Sequence, residues 1–263
     1  MTRVLEAYID ETEFLQGGHK RLICGAVIPH DLPAALDGLT NLKAAFGLSP
    51  DLEVKWSSRG GDPDVKAALK EEAISLVGRL FTGLFVVWAS SEKDEAFLRL
   101  ASLVRSYAAR GQVPYVHLLH DHDAFRSRQR VVANLASWEP PCCTLLADVE
   151  SRLSLPMQFA DLAVGAFGYL VRSRIGLVSP RTTIFEWRPG HTEELPLDQV
   201  FGVLLRWMIP GKTPALDPEA ERYLPESFVK SCIGAGVIVD DRFDNEAKTS
   251  IARAATFYVG CMS

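Results

Sequence analysis

Hydrophobic and polar side chains alternate at the start of the chain, as they do in a strand with one buried face. The stretch "RVLEAYIDETEF" leads to the pair Gly17-Gly18, and the mostly apolar run "KRLICGAVIP" follows and ends at Pro29. Two strand patterns separated by a Gly-Gly pair are typical of a β-hairpin. The sequence therefore predicts that an antiparallel hairpin over residues 3–29 opens the fold.

Helical and strand patterns then alternate through the middle of the chain. Asp31 is a suitable N-cap for the leucine-periodic segment "LPAALDGLTNLKAAFGL", and Asp62-Pro63 begins a second helix after a short strand, "LEVKW". The apolar strands "TGLFVVWAS", "VPYVHLLHD" and "PCCTLLADVE" follow, each with a helical pattern after it, the last of which is "MQFADLAVGAFGYLVRSRI". This order predicts a three-layer α/β domain with a mixed sheet.

The pattern changes beyond residue 176, where proline interrupts the chain repeatedly. Helical periodicity returns at "LDQVFGVLLRWM", and "FVKSCIGAGVIVDD" indicates a late strand. We therefore predict a domain over residues 1–176 and a C-terminal extension over residues 177–263 that packs on its core.

Composition excludes several classes of protein. The 263 residues are 48% hydrophobic, enough for one large core. We see no signal-peptide pattern and no apolar run long enough to span a bilayer, so we expect a cytoplasmic protein without a membrane partner. Phosphate loops of the GxxxxGK[ST] or GxGxxG spacing are absent, which disfavours a nucleotide-driven motor and a Rossmann dehydrogenase.

The formal net charge of −5 means that binding to nucleic acid would need a local basic patch. The candidate is "AFRSRQRVV", in which Arg126, Arg128 and Arg130 open a predicted helix directly after a strand. We predict that these arginines contact phosphates; a solvated first helical turn is the alternative.

Acidic residues stand at the ends of several elements. Asp10 is two residues after Tyr8 in the first strand, and alternate side chains of a strand point to the same face. Asp10 therefore faces the same side of the sheet as residues predicted to be buried. A lone anion there is costly and is normally paired, protonated or bound to a metal, unless it reaches water at the strand end. Acids also end two later strands and interrupt a helix, at Asp121, Asp148, Glu150 and Asp161.

Asp161 is the least expected of these acids because it lies in an apolar helix rich in small residues. Gln158 precedes it on the same helical face, and an ion pair with Arg172 or Arg174 is the structural alternative. Converging Asp and Glu side chains form a hard-oxygen site suited to Mg²⁺ or Mn²⁺. Two such ions can activate water and stabilise the leaving oxygen in phosphodiester cleavage.

The segment "LEVKW" adds Glu53 and, two residues later, Lys55, both on one face if the segment is extended. This Glu-x-Lys pattern after an earlier Asp resembles that of restriction-type nucleases, in which the acid holds metal and the lysine orients the attacking water. Glu53 is therefore a further candidate metal ligand.

Two stretches together resemble the family known as domain of unknown function 3800. They are "YIDET" at residues 8–12 and "ESRLSLPMQFADLAVGAF" at residues 150–167, in which Gln158, Asp161 and the following small residues are in register with the family pattern. Thr12 and Glu13 replace the usual Ser and Gly, and Glu150 stands where an Asp is common. The resemblance spans roughly residues 4–175.

The resemblance implies an RNase H-like fold and a metal-dependent nuclease activity, in a family often found near mobile elements or defence genes. It implicates Asp10, Glu11, Glu150, Gln158 and Asp161 as site residues, and strand-end position adds Asp121. We therefore expect hydrolysis of DNA or RNA with Mg²⁺ or Mn²⁺. In this reading Asp10, Asp121 and Asp161 are the ligands, Glu53 or Glu150 is a fourth, and Gln158 orients a ligand or metal-bound water.

Two other functions stay open on the sequence alone. One is a non-catalytic binding or regulatory module that keeps the fold, which Glu13 and the negative net charge favour. The other is a metal-dependent phosphohydrolase that acts on a small substrate.

Overall fold

The computed structural model describes residues 3–56, 63–120, 125–147, 154–179, 181–205, 208–210 and 236–255. Within them, eight strands are β1 (Val4–Gln16), β2 (His19–Pro29), β3 (Phe81–Trp88), β4 (Tyr115–His120), β5 (Cys142–Ala147), β6 (Thr182–Arg188), β7 (His191–Pro196) and β8 (Val237–Val239). The helices are α1 (Leu32–Ala45), α2 (Pro63–Leu80), α3 (Lys93–Arg110), α4 (Arg128–Ala136), α5 (Leu155–Arg174), α6 (Leu197–Leu205) and α7 (Asn245–Ala255).

The predicted hairpin opens the fold. Strands β1 and β2 pair antiparallel from Tyr8↔Val27 to Gln16↔His19. Gly17 and Gly18 both have positive φ, at 57° and 78°, as the two central residues of a tight type I′ turn require.

The central sheet has six strands in the order β5-β4-β1-β2-β3-β8. The β1-β2 and β2-β3 pairs are antiparallel, whereas β4 is parallel to β1, β5 is parallel to β4, and β8 is parallel to β3. The predicted α/β class with a mixed sheet is therefore confirmed.

Two hydrophobic cores cover the two faces of this sheet. Tyr8 and Phe14 of β1 pack in the core that contains the apolar residues of α5, while Ala7 and Ile9 pack in the core that contains those of α3. Strand alternation therefore directs even-numbered positions of β1 towards α5 and odd-numbered positions towards α3. This division decides the surroundings of the adjacent acids Asp10 and Glu11.

Helix α1 begins and ends at the residues that its sequence indicates. The Asp31 carboxylate accepts a hydrogen bond from the Ala34 N–H at 3.0 Å, which satisfies one of the free donors of the first turn. Gly47, one residue after the C-cap Phe46, has a φ of 65°, a left-handed conformation that costs glycine little.

The segment "LEVKW" differs from its prediction as a short strand. Residues 52–55 form no regular strand, and their backbone packs instead against side chains of α5. We call residues 52–56 the docked segment.

Elements after residue 176 pair with the central sheet and pack against α5. Strand β8 extends the central sheet at β3, and α7 contacts both α5 and β8. Strands β6 and β7 form a separate antiparallel pair. Every helix in the described part of the chain is too short or too polar to cross a bilayer.

Candidate active site

Asp10 lies in β1 on the face that α5 covers. Burial raises the pKa of Asp10, the negative charges of Asp161 and Glu11 add to this rise, and together they bring the pKa to about 7. The ordinary value is 3.8, so this carboxyl group binds a proton several pH units more readily than a solvated one. Asp10, for which a strand end that reaches water was the alternative, thus lies partly buried beside a second acid.

Asp161 brings that second carboxyl group from α5. Burial raises its pKa, while the Trp56 backbone N–H, the charge of Lys55 and a side-chain hydrogen bond with Asp10 all act in the opposite direction. The Trp56 N–H donates to Oδ2 of Asp161 at 2.5 Å. Asp10 and Asp161 therefore form a partly buried pair of carboxyl groups, in which the negative charge of Asp161 disfavours ionisation of Asp10, as its burial does.

The alternative predicted for Asp161 was an ion pair with Arg172 or Arg174 at the end of α5. Both arginines bind other groups. The Arg172 Nε–H donates to the Gly168 carbonyl oxygen at 3.0 Å. Arg174 lies 3.6 Å from the Asp198 carboxylate. Asp161 therefore interacts with Asp10 and with the docked segment instead of with these arginines.

Glu53 and Lys55 of the docked segment lie beside this pair. Lys55 Nζ is 3.1 Å from Oε1 of Glu53. The charge of Lys55 lowers the pKa of Asp161 and the charge of Glu53 raises it, so both side chains are within electrostatic reach of the pair. The structure therefore places Glu53 within electrostatic reach of Asp161, and its predicted role as a metal ligand stays a prediction.

Gln158 also serves the docked segment. Its side chain is only 2% exposed, and its Oε1 accepts a hydrogen bond from the Val54 N–H at 3.0 Å. The sequence predicted that Gln158 orients a ligand or metal-bound water. In the structure its carbonyl oxygen is bonded to backbone instead.

Glu11 faces the opposite side of the sheet, towards α3. Its carboxylate accepts a hydrogen bond from Lys93 Nζ at 2.8 Å and lies 3.0 Å from Nε2 of His120, which is 3% exposed. Burial opposes ionisation of Glu11, but the hydrogen bonds and charges of His120 and Lys93 outweigh it and lower the pKa. Glu11 is thus a neutralised acid, unlike its neighbour in the chain.

Sequence reasoning missed the partners of Glu11. The only sequence signal for them is strand alternation, which puts Glu11 on the same face as Ala7 and Ile9. A buried acid on that face needs a cation from the helices that pack over it. His120 is the last residue of β4 and is paired in the ladder with Ile9, which brings it next to Glu11.

The three arginines lie at the start of α4, with their side chains exposed. The Arg126 and Ser127 N–H groups donate to the two oxygens of Asp94 at 2.9 and 3.0 Å, which fixes the start of the helix against α3. The predicted contacts of Arg126, Arg128 and Arg130 with phosphates stay a prediction.

Two predicted ligands, Asp121 and Glu150, lie outside the described residues, as does Asp148. Among the side chains that the structure describes, no three His, Cys, Asp or Glu form a group that could hold a metal ion. The described part of the site is thus a pair of carboxyl groups with Glu53 and Lys55 beside it.

Comparisons with models of known protein families, with curated proteins and with solved structures gave no match to this chain. The geometry of the site therefore carries the functional argument.

Proposed function

We propose that this protein is a Mg²⁺- or Mn²⁺-dependent phosphodiesterase that cleaves DNA or RNA, with Asp10 and Asp161 as its central carboxylates. The observation that carries the proposal is the partly buried Asp10–Asp161 pair, in which burial raises the pKa of both carboxyl groups and the charge of Asp161 raises that of Asp10 further. Perturbed carboxyl groups of this kind cluster at functional sites. A purely structural role would be better served by a cation, as Glu11 has.

The described residues supply part of the ligand set that a divalent cation would need. Asp10 and Asp161 provide hard oxygen ligands from two separate elements, and Glu53 adds a third acid close by. A bound cation would lower the pKa of both carboxyl groups and so favour their ionised forms. Such an ion supplies an activated water and stabilises charge on the leaving oxygen.

Asp121 and Glu150 complete the proposed ligand set. Asp121 directly follows His120, whose ladder partner Ile9 directly precedes Asp10. Glu150 follows the end of β5 in the chain, and β5 is the parallel neighbour of β4. Chain position therefore supports both as additional ligands of the proposed cation.

Strand order supports the RNase H-like fold as part of the same proposal. Three antiparallel strands, β1 to β3, are followed by β4 and β5, which lie on the other side of β1 and run parallel to it. An acid in β1 and an acid on α5, which packs across β1 and β2, match what that fold uses for metal-dependent hydrolysis.

Cleavage assays on Asp10→Asn and Asp161→Asn test the proposal. Each variant keeps the size of the side chain but removes a charge that would bind the cation, so we expect Mg²⁺-dependent cleavage of labelled DNA and RNA to fall about a thousandfold or more. Circular dichroism would confirm that both variants remain folded. Unchanged cleavage by both would contradict the assignment.

Asp241→Asn is the matched control. The Asp241 side chain is fully exposed and its ion pair with Lys248 spans 3.4 Å, so this change should leave cleavage unaltered. Calorimetry with Mn²⁺ on the wild-type protein separates an enzyme from a non-catalytic module of the same fold. Absence of binding at about millimolar Mn²⁺ would favour the module.

A further inference from the structure

One face of α5 receives the docked segment. Gln158, Asp161 and Gly165 follow one another at helical spacing and so lie in one stripe of the helix. The first two accept hydrogen bonds from the Val54 and Trp56 N–H groups. At the third, a Cβ atom would overlap the Trp56 ring, so glycine is needed for the close approach.

Trp56 fastens the end of this segment to three helices. Its ring packs edge-on against Phe201 of α6, with ring centroids 5.4 Å apart, and contacts Tyr169 of α5. Lys70 of α2 donates to the Trp56 carbonyl oxygen at 2.5 Å and lies over the ring. The docked segment is thus fixed at Trp56 by packing and at Val54 by Gln158.

Lys55 lies between these two fixed points. Its side chain is 42% exposed, so Nζ is accessible from solvent, while the side chain of its partner Glu53 is only 17% exposed. Lys55 is flanked by Val54 and Trp56, whose N–H groups donate to Gln158 and Asp161, so its backbone is held close to the Asp161 carboxylate. A phosphodiester that approaches buried carboxylates is repelled by them, and a cation at this position offsets the repulsion.

We propose that Gln158 is a positioning residue, which holds the docked segment through Val54 so that Lys55 stands beside Asp10 and Asp161 as the cation that receives the substrate phosphate. This rests on the proposed function, since it names the contact by which that site takes a phosphodiester. Gln158 acts through the backbone of the docked segment, and Lys55 is the residue that touches substrate.

The position of the docked segment depends on the acceptor that the Val54 N–H finds. The Val54 residue is buried, and no strand ladder pairs the docked segment, so its N–H depends on the Gln158 oxygen. Removal of that oxygen leaves a buried donor without a partner, and the segment is then free to shift at the position next to Lys55. Trp56 would still be held by Asp161 and by ring packing.

A double-mutant cycle tests this assignment. Gln158→Met removes the acceptor at nearly constant volume, and Lys55→Met removes the cation at nearly constant length. The probe is a short fluorescein-labelled single-stranded oligonucleotide in Ca²⁺, with affinity measured by anisotropy. We expect each single variant to bind about tenfold more weakly. The double variant should bind no more weakly than Lys55→Met alone, because Gln158 acts only through Lys55.

Thr82→Val is the control for a merely structural effect. Thr82 is buried and hydrogen-bonded to His30 at 2.9 Å and to Tyr107 at 3.2 Å, away from α5, so its loss should lower stability without changing oligonucleotide affinity. Additive losses in the double variant, an unchanged affinity in Gln158→Met, or absence of oligonucleotide binding by the wild-type protein would each overturn the proposal.

Amide hydrogen exchange separates this proposal from the proposed function. In Gln158→Met we expect faster exchange at Val54, with Trp56 still protected, and this needs no substrate. Intact oligonucleotide binding and a non-additive cycle, together with no cleavage by the wild-type protein, would refute the nuclease activity and leave the positioning role of Gln158 in place. Unchanged exchange at Val54 would refute the positioning role alone.

Discussion

Asp10 and Glu11 are neighbours in one strand, yet they lie on opposite faces of the sheet and their pKa values are shifted in opposite directions. On the α3 side, Lys93 and His120 neutralise Glu11 and lower its pKa. On the α5 side, burial and the negative charge of a second acid, Asp161, raise the pKa of Asp10 to about 7. Glu11 therefore contributes to folding as an ion, whereas ionised Asp10 opposes it. A site that is costly to keep charged is what a cation-binding role would require.

The largest expected change in unfolding free energy comes from removing the charge of Glu11. Glu11→Gln removes the carboxylate while Lys93 and His120 remain, so we expect a loss of about 3 kcal/mol, at the low end for buried pairs because Lys93 is partly exposed. Chemical denaturation near neutral pH measures the change. Glu13→Gln is the control on the same strand, since its pair with Lys20 is exposed and should contribute under about 1 kcal/mol. Equal losses in the two variants would contradict the distinction.

A change of opposite sign is expected one residue earlier. Asp10→Asn removes a charge that burial and Asp161 disfavour, so the metal-free protein should gain about 2 kcal/mol of unfolding free energy at slightly alkaline pH. The same denaturation series detects it. A loss comparable to that of Glu11→Gln would show that Asp10 is a stabilising ion and would remove the contrast between the two faces.

The pH dependence of stability sharpens the same contrast. For Asp10, the folded pKa of about 7 exceeds the ordinary 3.8, so its contribution is most favourable below the ordinary value and is lost as pH rises towards 7. For Glu11, the folded pKa is below the ordinary 4.5, so its contribution is present above that value and is lost as pH falls.

A Mn²⁺ ion bound at the proposed site would compete with the proton on Asp10, so the rise in Tm that it produces should be larger at about pH 8 than at about pH 6. In Asp10→Asn this difference should disappear. Thermal unfolding in the presence and absence of Mn²⁺ measures both. An equal rise in Tm at the two pH values in the wild-type protein would indicate that the ion binds elsewhere.

The smallest effect is expected at the arginines of α4, which lie on the same side of the sheet as Glu11. Arg130→Gln should weaken oligonucleotide binding by only about threefold and lower the slope of log affinity against log salt by about 0.9, as loss of one phosphate contact does. Fluorescence anisotropy over a salt series measures this slope. An unchanged slope would limit the substrate contacts to the α5 side.

Much of the fold is predictable because the relevant interactions are local. The alternation of residues 3–29 with Gly17-Gly18 between them specifies the hairpin, and Asp31 specifies the start of α1, because each depends on residues close in sequence. Asp10 is likewise identifiable as an acid on a buried face, and Asp161 as an acid in an apolar helix.

The tertiary structure alone decided which partners these acids have. Parity places Asp10 and Glu11 on opposite faces, but it does not say that one face carries Asp161 and the other Lys93 and His120. The docked segment shows the same limit, since its extended pattern predicted a strand while its N–H groups found acceptors on Gln158 and Asp161. The energy of a buried charge depends on groups brought near it from distant parts of the chain, and no local pattern encodes those distances.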